Sequence, residues 1–477
     1  MTKAAELIEI ALPDEIPPGW CRTTLGEIGE YINGRGFKKS EWSDKGLPII
    51  RIQNLTGTGK EQNYYYGEID ERHVVNSGDL LISWAATLGA YLWAGPRAAL
   101  NQHIFKVRSF VDKKFHYYLM RHILGDLYRQ THGSGMVHIT KSKFDSMPIV
   151  IPETEDQQKR IVAEIEKQFS RLDGALANLK RVKANLKRYK AAVLKAAVEG
   201  HLVENEAAIA RRDGRSYETG AQLLQRILET RRSRWKGKGI YKEPAASDTI
   251  DLPELPEGWV WSNFEVAAER VTVGHVGPMK DEYVEEGIPF LRSQNVRQNR
   301  YDPEGLKFIS EKFHSQLGKS ALHPGDIVVV RSGSVGVSCV IPEQLSEANC
   351  SDLVIVKAPR AILPDLGAYY MNSVVETRVA AGKVGVALTH FNTQSVARLP
   401  LPIPPLAEQH RIVHEIDRRL SIVAETDAQV DANLVRAMRF RHTVLREAFS
   451  GRLAVVKQRH CPSDALTESI SQVQDSG

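Results

Sequence analysis

Cysteine is scarce: four residues in 477, Cys21, Cys339, Cys350 and Cys461, without CxxC or Cys/His spacing. That scarcity argues against a disulfide framework or a structural zinc site and suits a reducing, cytoplasmic setting. No apolar run approaches the length of a membrane span. Glu6, Glu9 and Asp14 interrupt the first segment, so a secretory leader is not expected. Phosphate-loop chemistry is missing too, since Gly57-Thr-Gly59-Lys60 runs into Glu61 at the wrong spacing. There is no HExxH and no Asn/Asp-Pro-Pro-Tyr/Phe motif of the kind that clamps a flipped base. Gly34-Arg-Gly36 and Gly333-Ser-Val-Gly336 lack the strand–loop–helix setting and trailing acid of a dinucleotide loop. His73, His103, His138, His323 and His390 are scattered and read as structural, and the acids and lysines form no metal-nuclease array. The expectation is a chain that is not an enzyme, holds no metal and carries no cofactor of its own.

What the chain has in abundance is itself. Pro17-Pro18-Gly19-Trp20 recurs as Pro256-Glu257-Gly258-Trp259, and Gly46-Leu-Pro-Ile-Ile-Arg51 recurs as Gly287-Ile-Pro-Phe-Leu-Arg292. Gly78-Asp79-Leu-Leu-Ile returns as Gly325-Asp326-Ile-Val-Val, and Met147-Pro148-Ile-Val-Ile-Pro152 as Leu399-Pro400-Leu-Pro-Ile-Pro404. The order is kept. The offset climbs slowly, from 239 between the Gly-Trp pairs to 252 between Pro148 and Pro400. This is a tandem duplication.

Each copy closes on a long amphipathic helix. In the first, over 158–199, Ile161, Ile165, Phe169, Leu172, Leu176, Leu179, Val182, Leu186, Tyr189, Val193 and Ala197 follow one another at steps of three or four. In the second, over 409–450, Ile412, Ile416, Leu420, Val423, Val430, Leu434, Ala437 and Val444 form a second stripe, with Asp427 as a flaw near the middle where the step is seven. Steps of this kind make a coiled-coil seam, which needs a cover. Two stripes of equal length predict that the helices cover each other. Gly200 and Gly451, each just past a helix end, suit left-handed caps.

The segments 17–152 and 255–403 read as mixed α/β with strands dominant. Short apolar runs such as Leu80-Leu-Ile-Ser and Ile327-Val-Val-Val are punctuated by Gly, Pro, Asn and Asp. Helices are predicted at 115–129 and 367–381, ahead of glycine loops at Gly133–Gly135 and Gly382–Gly385. The connector carries a further amphipathic helix at 220–234, with Leu223, Leu224, Ile227 and Leu228 on one face. Its basic run Arg231–Gly239 reads either as a solvated linker or as a phosphate contact.

The net charge of +5 permits a nucleic-acid partner without requiring one. In each copy, Arg, Gln and Asn follow an apolar strand: Arg51, Gln53 and Asn54, then Arg292, Gln294 and Asn295. Such side chains can read guanine and adenine edges in a major groove. Equally, they can orient a turn by bonding backbone carbonyls. Residues that discriminate sequence should differ between the copies. Arg35, Phe37, Lys38, Lys39 and Trp84 in the first, and His275, Lys280, Arg331 and Ser334 in the second, do so.

Taken in order, the chain resembles the specificity subunits of type I restriction–modification systems over essentially its whole length. The marks are the Gly-Trp openings, the Gly-Asp-led strands and the helix start Pro404-Pro-Leu-Ala-Glu408-Gln409-His-Arg-Ile412-Val413. Gln157-Gln158-Lys-Arg-Ile161-Val162 is the degenerate partner of that start. The resemblance implies two strand-rich target recognition domains, at 1–152 and 255–403, separated by an antiparallel pair of long coiled-coil helices, at 153–203 and 404–453. A connector at 204–254 and a polar tail at 454–477 complete the chain. It implies a DNA-recognition and scaffold subunit that reads a bipartite, asymmetric site in double-stranded DNA. Its implied partners are two methyltransferase subunits holding S-adenosylmethionine and restriction/translocase subunits using ATP and Mg. The alternative is the same module in a modification-only or other phage-defence complex, with a nuclease less favoured. The sequence departs from the pattern twice. Trp84-Ala-Ala-Thr stands where the second copy has Arg331-Ser-Gly-Ser, and Gln157 stands where it has Glu408.

Overall fold

The computed structural model describes residues 15–58, 62–84, 87–130, 141–235, 240–245, 252–380 and 392–453. Both glycine loops, the end of the basic run and the polar tail lie outside them. The chain forms two compact units, one of residues up to Arg181 together with those from Val430, the other Val182–Gln429. The division falls inside both long helices, Glu155–Val198 and Leu406–Phe449, each of 44 residues. Each unit therefore holds one strand-rich head and a stretch of both helices.

In the first unit, Trp20–Thr24 pairs antiparallel with Pro148–Pro152, so the two motifs that bracket the head lie side by side. An antiparallel sheet follows, in the order Gly29–Asn33, Ile104–Ser109, Leu80–Ser83, Gly89–Leu92. A second sheet of shorter strands is ordered Trp42–Ser43, Tyr64–Tyr65, Leu47–Ile50, Ala98–Leu100, Val74–Val75, with Leu47–Ile50 and Ala98–Leu100 parallel. The helix expected at 115–129 spans Lys113–Gln130.

The second unit repeats the plan. Val260–Asn263 pairs with Pro400–Ile403. The main sheet runs Ala268–Val273, Leu353–Pro359, Ile327–Val330, Ser338–Val340, and the helix following it is Pro364–Ala380. A smaller sheet orders Tyr283–Val284, Lys307–Ile309, Ile288–Leu291 and Asn349–Cys350, again with one parallel pair. The connector supplies the expected helix at Gly220–Ser233, whose Leu223 and Leu224 join this core. It also supplies a helix not foreseen, Glu206–Asp213, capped by Asn205 and closed by left-handed Gly214. An eight-residue helix whose apolar residues form one consecutive run, Ala207–Ala210, leaves little periodic signal.

Helix and head share one core in each unit. In the first, Val162, Ile165 and Phe169 from the start of one long helix join Val444, Ala448 and Phe449 from the end of the other. In the second, Leu194 and Ala197 from a helix end join Ile412 and Ile416 from a helix start. The two helices therefore run antiparallel in both units. Along the seam, Ile165, Phe169, Leu179, Val193, Ala197, Ile412, Ile416 and Val430 are buried. Ile161, Leu172, Leu176, Val182, Leu186, Leu420, Val423 and Leu434 are half-buried, as a two-helix seam allows. Tyr189 departs from expectation, for it is 45% exposed. The next residue, Lys190, is half-buried, and its Nζ lies 3.4 Å from Gln298 Oε1. Asp427 sits at the seam margin and pairs with Lys183 at 3.7 Å.

Paired buried glutamines fix the helix starts. Gln158 accepts from the Asp112 amide at 3.0 Å and donates to the Pro152 carbonyl at 3.1 Å. Gln409, 251 residues later, accepts from the Leu363 amide at 2.8 Å and donates to the carbonyls of Ala361 and Pro404, each at 2.9 Å. The neighbouring positions differ. Glu408 is buried and accepts from the Glu206 amide at 2.9 Å and the Trp259 indole at 3.0 Å. Its burial nonetheless raises its pKa. Gln157, its counterpart, has a buried Oε1 with no partner among the described residues. At the far ends Gly200 and Gly451 take φ of +76° and +73°. Both helices finish with the paired bonds of a Schellman motif, His201 N to Ala196 O at 2.8 Å and Arg452 N to Glu447 O at 3.0 Å.

A buried histidine lies in the first unit. The His116 ring lies 2.8 Å from the Tyr31 hydroxyl and 3.0 Å from Ser109 Oγ, and burial drives its pKa down to about 3. The native ring stays neutral, whereas the unfolded chain binds a proton below about 6.5. The contribution is full above that value and drains away as the pH falls toward 3. Between pH 7 and 5 the stability of the first unit should drop by about 2 kcal/mol from this group. Urea melts at the two pH values should show the drop, and the His116→Gln variant should lack that component.

Candidate nucleic-acid interface

Antiparallel register gathers residues far apart in the chain at one end of each main sheet. In the first head Asn33 opposes Phe105 and Ser83 opposes Ile104. The residues just beyond, Arg35, Trp84 and His103, therefore come to the same edge. Trp84 stacks on Phe105 at 5.6 Å and meets His103 edge-on at 5.4 Å, so part of its ring belongs to the core. Arg35 lies 4.9 Å over Phe37 and 4.8 Å over Tyr65, and it forms an ion pair with Glu41. A hydrogen bond with Tyr65, joined by the Glu41 carboxylate and partly offset by burial, raises its pKa. Lys38 and Lys39 are exposed beside this group, where the short helical turn Lys39–Glu41 begins.

The second head builds a corresponding edge from other residues. Val330 opposes Leu353 and Val273 opposes Val354, which brings together Arg331, Asp352 and His275. Arg331 lies 3.6 Å from the Asp352 carboxylate, and Ser332 Oγ donates to that carboxylate at 2.5 Å. Asp352 adopts φ of +52°, a left-handed conformation that costs a non-glycine residue about 1 kcal/mol. Its amide donates to the His275 carbonyl at 3.3 Å. Gly333 and Gly336, at φ of +79° and +85°, bend the loop that carries exposed Ser334. The His275 ring meets Phe313 at 5.6 Å, and Lys280 is exposed further along the loop.

The repeated Arg/Gln/Asn groups divide differently. Asn54 Oδ1 accepts from the Arg51 amide at 2.9 Å, and Asn295 Oδ1 from the Arg292 amide at 3.1 Å. Asn295 is fully buried, and its amide also donates to the carbonyls of Asp302 and Glu304. Asn295 thus serves the turn and has no surface to offer a ligand, which corrects its inclusion among surface readers. Arg292 and Gln294 both donate to the Gly305 carbonyl, at 2.7 and 3.2 Å. Gln53 is half-buried in the short helix Ile52–Thr56. Arg51 lies 5.6 Å over Trp42 and Arg292 5.9 Å over Tyr283, an aromatic–arginine pairing preserved across the duplication at the common offset of 241. In the connector, Arg231 donates to the carbonyl of Glu265 at 2.8 Å and Arg232 pairs with Glu243, so this part of the basic run is engaged within the protein.

Sequence reasoning missed Glu41, Trp42, Lys45, Tyr65, Tyr66 and Asp352. Lys45 lies 4.9 Å over exposed Tyr66. The run Tyr64-Tyr65-Tyr66 was a usable signal, because successive side chains of an extended segment point to opposite sides, so such a run puts rings on both. Among the described residues no group of three or more His, Cys, Asp or Glu could hold a metal ion. No described helix is long and apolar enough to cross a membrane.

Two heads of one topology, presenting dissimilar cationic and aromatic loops, are the build of a duplicated recognition protein. The chain belongs to the family of type I restriction modification DNA specificity domains, whose model matches residues 17–188 and 274–430. It is similar to the type I restriction enzyme EcoBI specificity subunit of Escherichia coli, at 24% identity over 92% of this chain and 87% of that one. It is also similar to the MjaVIII specificity subunit of Methanocaldococcus jannaschii, at 19% identity over 87% of this chain and 90% of that one. Among solved structures, the HsdS subunit from Thermoanaerobacter tengcongensis shares its fold, with TM-score 0.55 and 18% identity over 92% of this chain and 99% of that one. A chain from a study of complex assembly and conformational transition in a type I R-M system superposes with TM-score 0.61, at 18% identity over 92% of this chain and all of that one.

The turn role of Asn295 is open to direct measurement. Asn295→Ala strips hydrogen-bond partners from three part-buried backbone groups and should lower the stability of the second unit by about 1–3 kcal/mol. Gln294→Ala, at an exposed position, should change it by no more than about 0.5 kcal/mol. Denaturant melts of the two variants would show the contrast.

Proposed function

We propose that this chain is the sequence-reading and scaffold subunit of a type I restriction–modification assembly, and that each head reads one half of a bipartite, asymmetric site in double-stranded DNA. The observation that carries this reading is the pairing of one sheet order with two unlike sheet-end loop sets. A duplicated frame supports two similar dockings, while unlike loop sets, with Arg35, Phe37, Lys38 and Lys39 in one head and His275, Lys280, Arg331 and Ser334 in the other, meet different half-sites. Trp84 supports the first loop set. Arg51, Gln53, Arg292 and Gln294 position these loops, and their exposed donors contact phosphates.

Chemistry belongs to the partners in this reading. Two methyltransferase subunits bring S-adenosylmethionine, and restriction/translocase subunits bring ATP and Mg. The chain works in the cytoplasm, and its domains are the heads 1–152 and 255–403, the helical segments 153–203 and 404–453, the connector 204–254 and the tail 454–477. The helices act as the ruler. Forty-four residues at 1.5 Å each make a rod of about 66 Å. That length is ample for half-sites whose major grooves recur about 34 Å apart.

Replacing residues 17–152 by the corresponding domain of a relative should change one half of the motif methylated in the host and leave the other intact. A methylome in which both halves change would refute the division of labour. Adding four residues to each long helix lengthens the rod by about 6 Å. The unread spacer should then grow by at most about 2 bp, and an unchanged spacer would refute the ruler.

A further inference from the structure

Arginines at the two sheet ends share an arrangement that the lysines around them lack. Arg35 is paired with Glu41 and lies over two aromatic rings. Arg331 faces Asp352, which is itself held by Ser332 and by a left-handed backbone. Both side chains keep part of their surface open, 32% for Arg35 and 26% for Arg331. Lys38, Lys39 and Lys280 are exposed and form no ion pair among the described residues.

A phosphate is neutralised by net positive charge, and releasing its counterions supplies the affinity. An arginine already matched by a carboxylate has no net charge to give, and the carboxylate repels the phosphate oxygens. Base edges make the opposite demand. Guanine presents O6 and N7 as two adjacent neutral acceptors, which fit the planar fork of a guanidinium. Arginine has five N–H donors, so a carboxylate can occupy one side and still leave others for the base. The buttress fixes the plane of the fork beforehand, and less side-chain entropy is lost on contact. Asp352 faces one terminal nitrogen of Arg331 at 3.6 Å, which leaves the other terminal donors of the fork unclaimed by it.

We propose that Arg35 and Arg331 are guanine-reading residues, one in each head, buttressed by Glu41 and by Asp352, while Lys38, Lys39 and Lys280 contact phosphates. This rests on the reading that the heads bind DNA. The two arginines are not repeat equivalents. Arg35 follows the strand Gly29–Asn33 and has His275, past the strand Ala268–Val273, as its counterpart, the amides donating to Leu100 and Cys350 carbonyls alike, and Arg331 stands where the first copy has half-buried Trp84. The guanines therefore occupy different steps of the two half-sites.

The test uses the chain assembled with its methyltransferase partners and duplexes bearing the motif found in the host methylome, each base pair varied in turn. Arg331→Ala should weaken the parent duplex about tenfold to a hundredfold and make one G·C pair of the second half-site dispensable, with the slope of log K against log salt unchanged. Arg35→Ala should do the same for one pair in the first half-site. Lys38→Ala should weaken all duplexes alike and lower the slope by about 0.9. Arg331→Lys keeps the charge and loses the fork, so it should lose discrimination as the alanine variant does, and it stands in if the alanine variant fails to fold. Rescue by lysine together with full discrimination would mark a phosphate contact and overturn the proposal. Unchanged affinity and motif in the arginine variants would reduce both pairs to loop supports and overturn it too. If the unmodified assembly shows no preference among the duplexes, DNA reading by the heads itself fails.

Discussion

A 44-residue helix with an apolar stripe cannot stand alone in water, and the rest of the architecture follows from how that stripe is covered. Burial of a side chain such as Ile165 or Phe169 stabilises by about 1.5–3 kcal/mol, and the cover is a second helix running the other way. Because the pairing is antiparallel, each head receives the beginning of one helix and the end of the other into its core. Half-burial through the middle of the seam, at Leu172, Leu176 and Leu186, is what two helices alone can provide. Exposed Ile422, Val435 and Met438 lie on the remaining surface of the second helix.

Much of this was legible in the sequence because it depends on periodicity and repetition. Steps of three and four identified the helices, and the slow drift of the repeat offset identified the heads. Tyr189 was misplaced because from Leu186 to Val193 a stripe can step by three or by four, and spacing alone does not tell which of Tyr189 and Lys190 is the more buried. The sheet-end clusters were legible only in part. Arg35 and Arg331 stand out in the sequence as residues that differ between copies, but Glu41 and Asp352 become their neighbours only through register. Asn295 resembles a surface reader until its carbonyl partners across the turn, at Asp302 and Glu304, come into view.

The heads show how a duplicated frame can diverge without losing its joints. Gln158 and Gln409 make equivalent bonds, and Gly200 and Gly451 close equivalent caps. The adjoining pair Gln157 and Glu408 has drifted. Glu408 holds the connector through the Glu206 amide, and Glu206 in turn is ion-paired with Arg215 at 2.7 Å and Arg411 at 2.6 Å. Burial works to raise the Glu206 pKa, but the two guanidiniums prevail and hold it below the usual carboxylate range. The glutamine kept in both copies is the one on which backbone groups depend, whereas Gln157 leaves its Oε1 without a partner among the described residues.

The division of the chain also sets an order of events on the ribosome. The second unit is a single stretch, Val182–Gln429, whereas the first is closed by residues from Val430 onward. Until Val444, Leu445, Ala448 and Phe449 emerge, the core around Phe115 and Ile165 lacks one wall. Translation at about 5–20 residues per second leaves the earlier head waiting on the order of tens of seconds for that wall. The first part to be synthesised is thus the last to be completed, and its apolar face stays open until the final helix arrives.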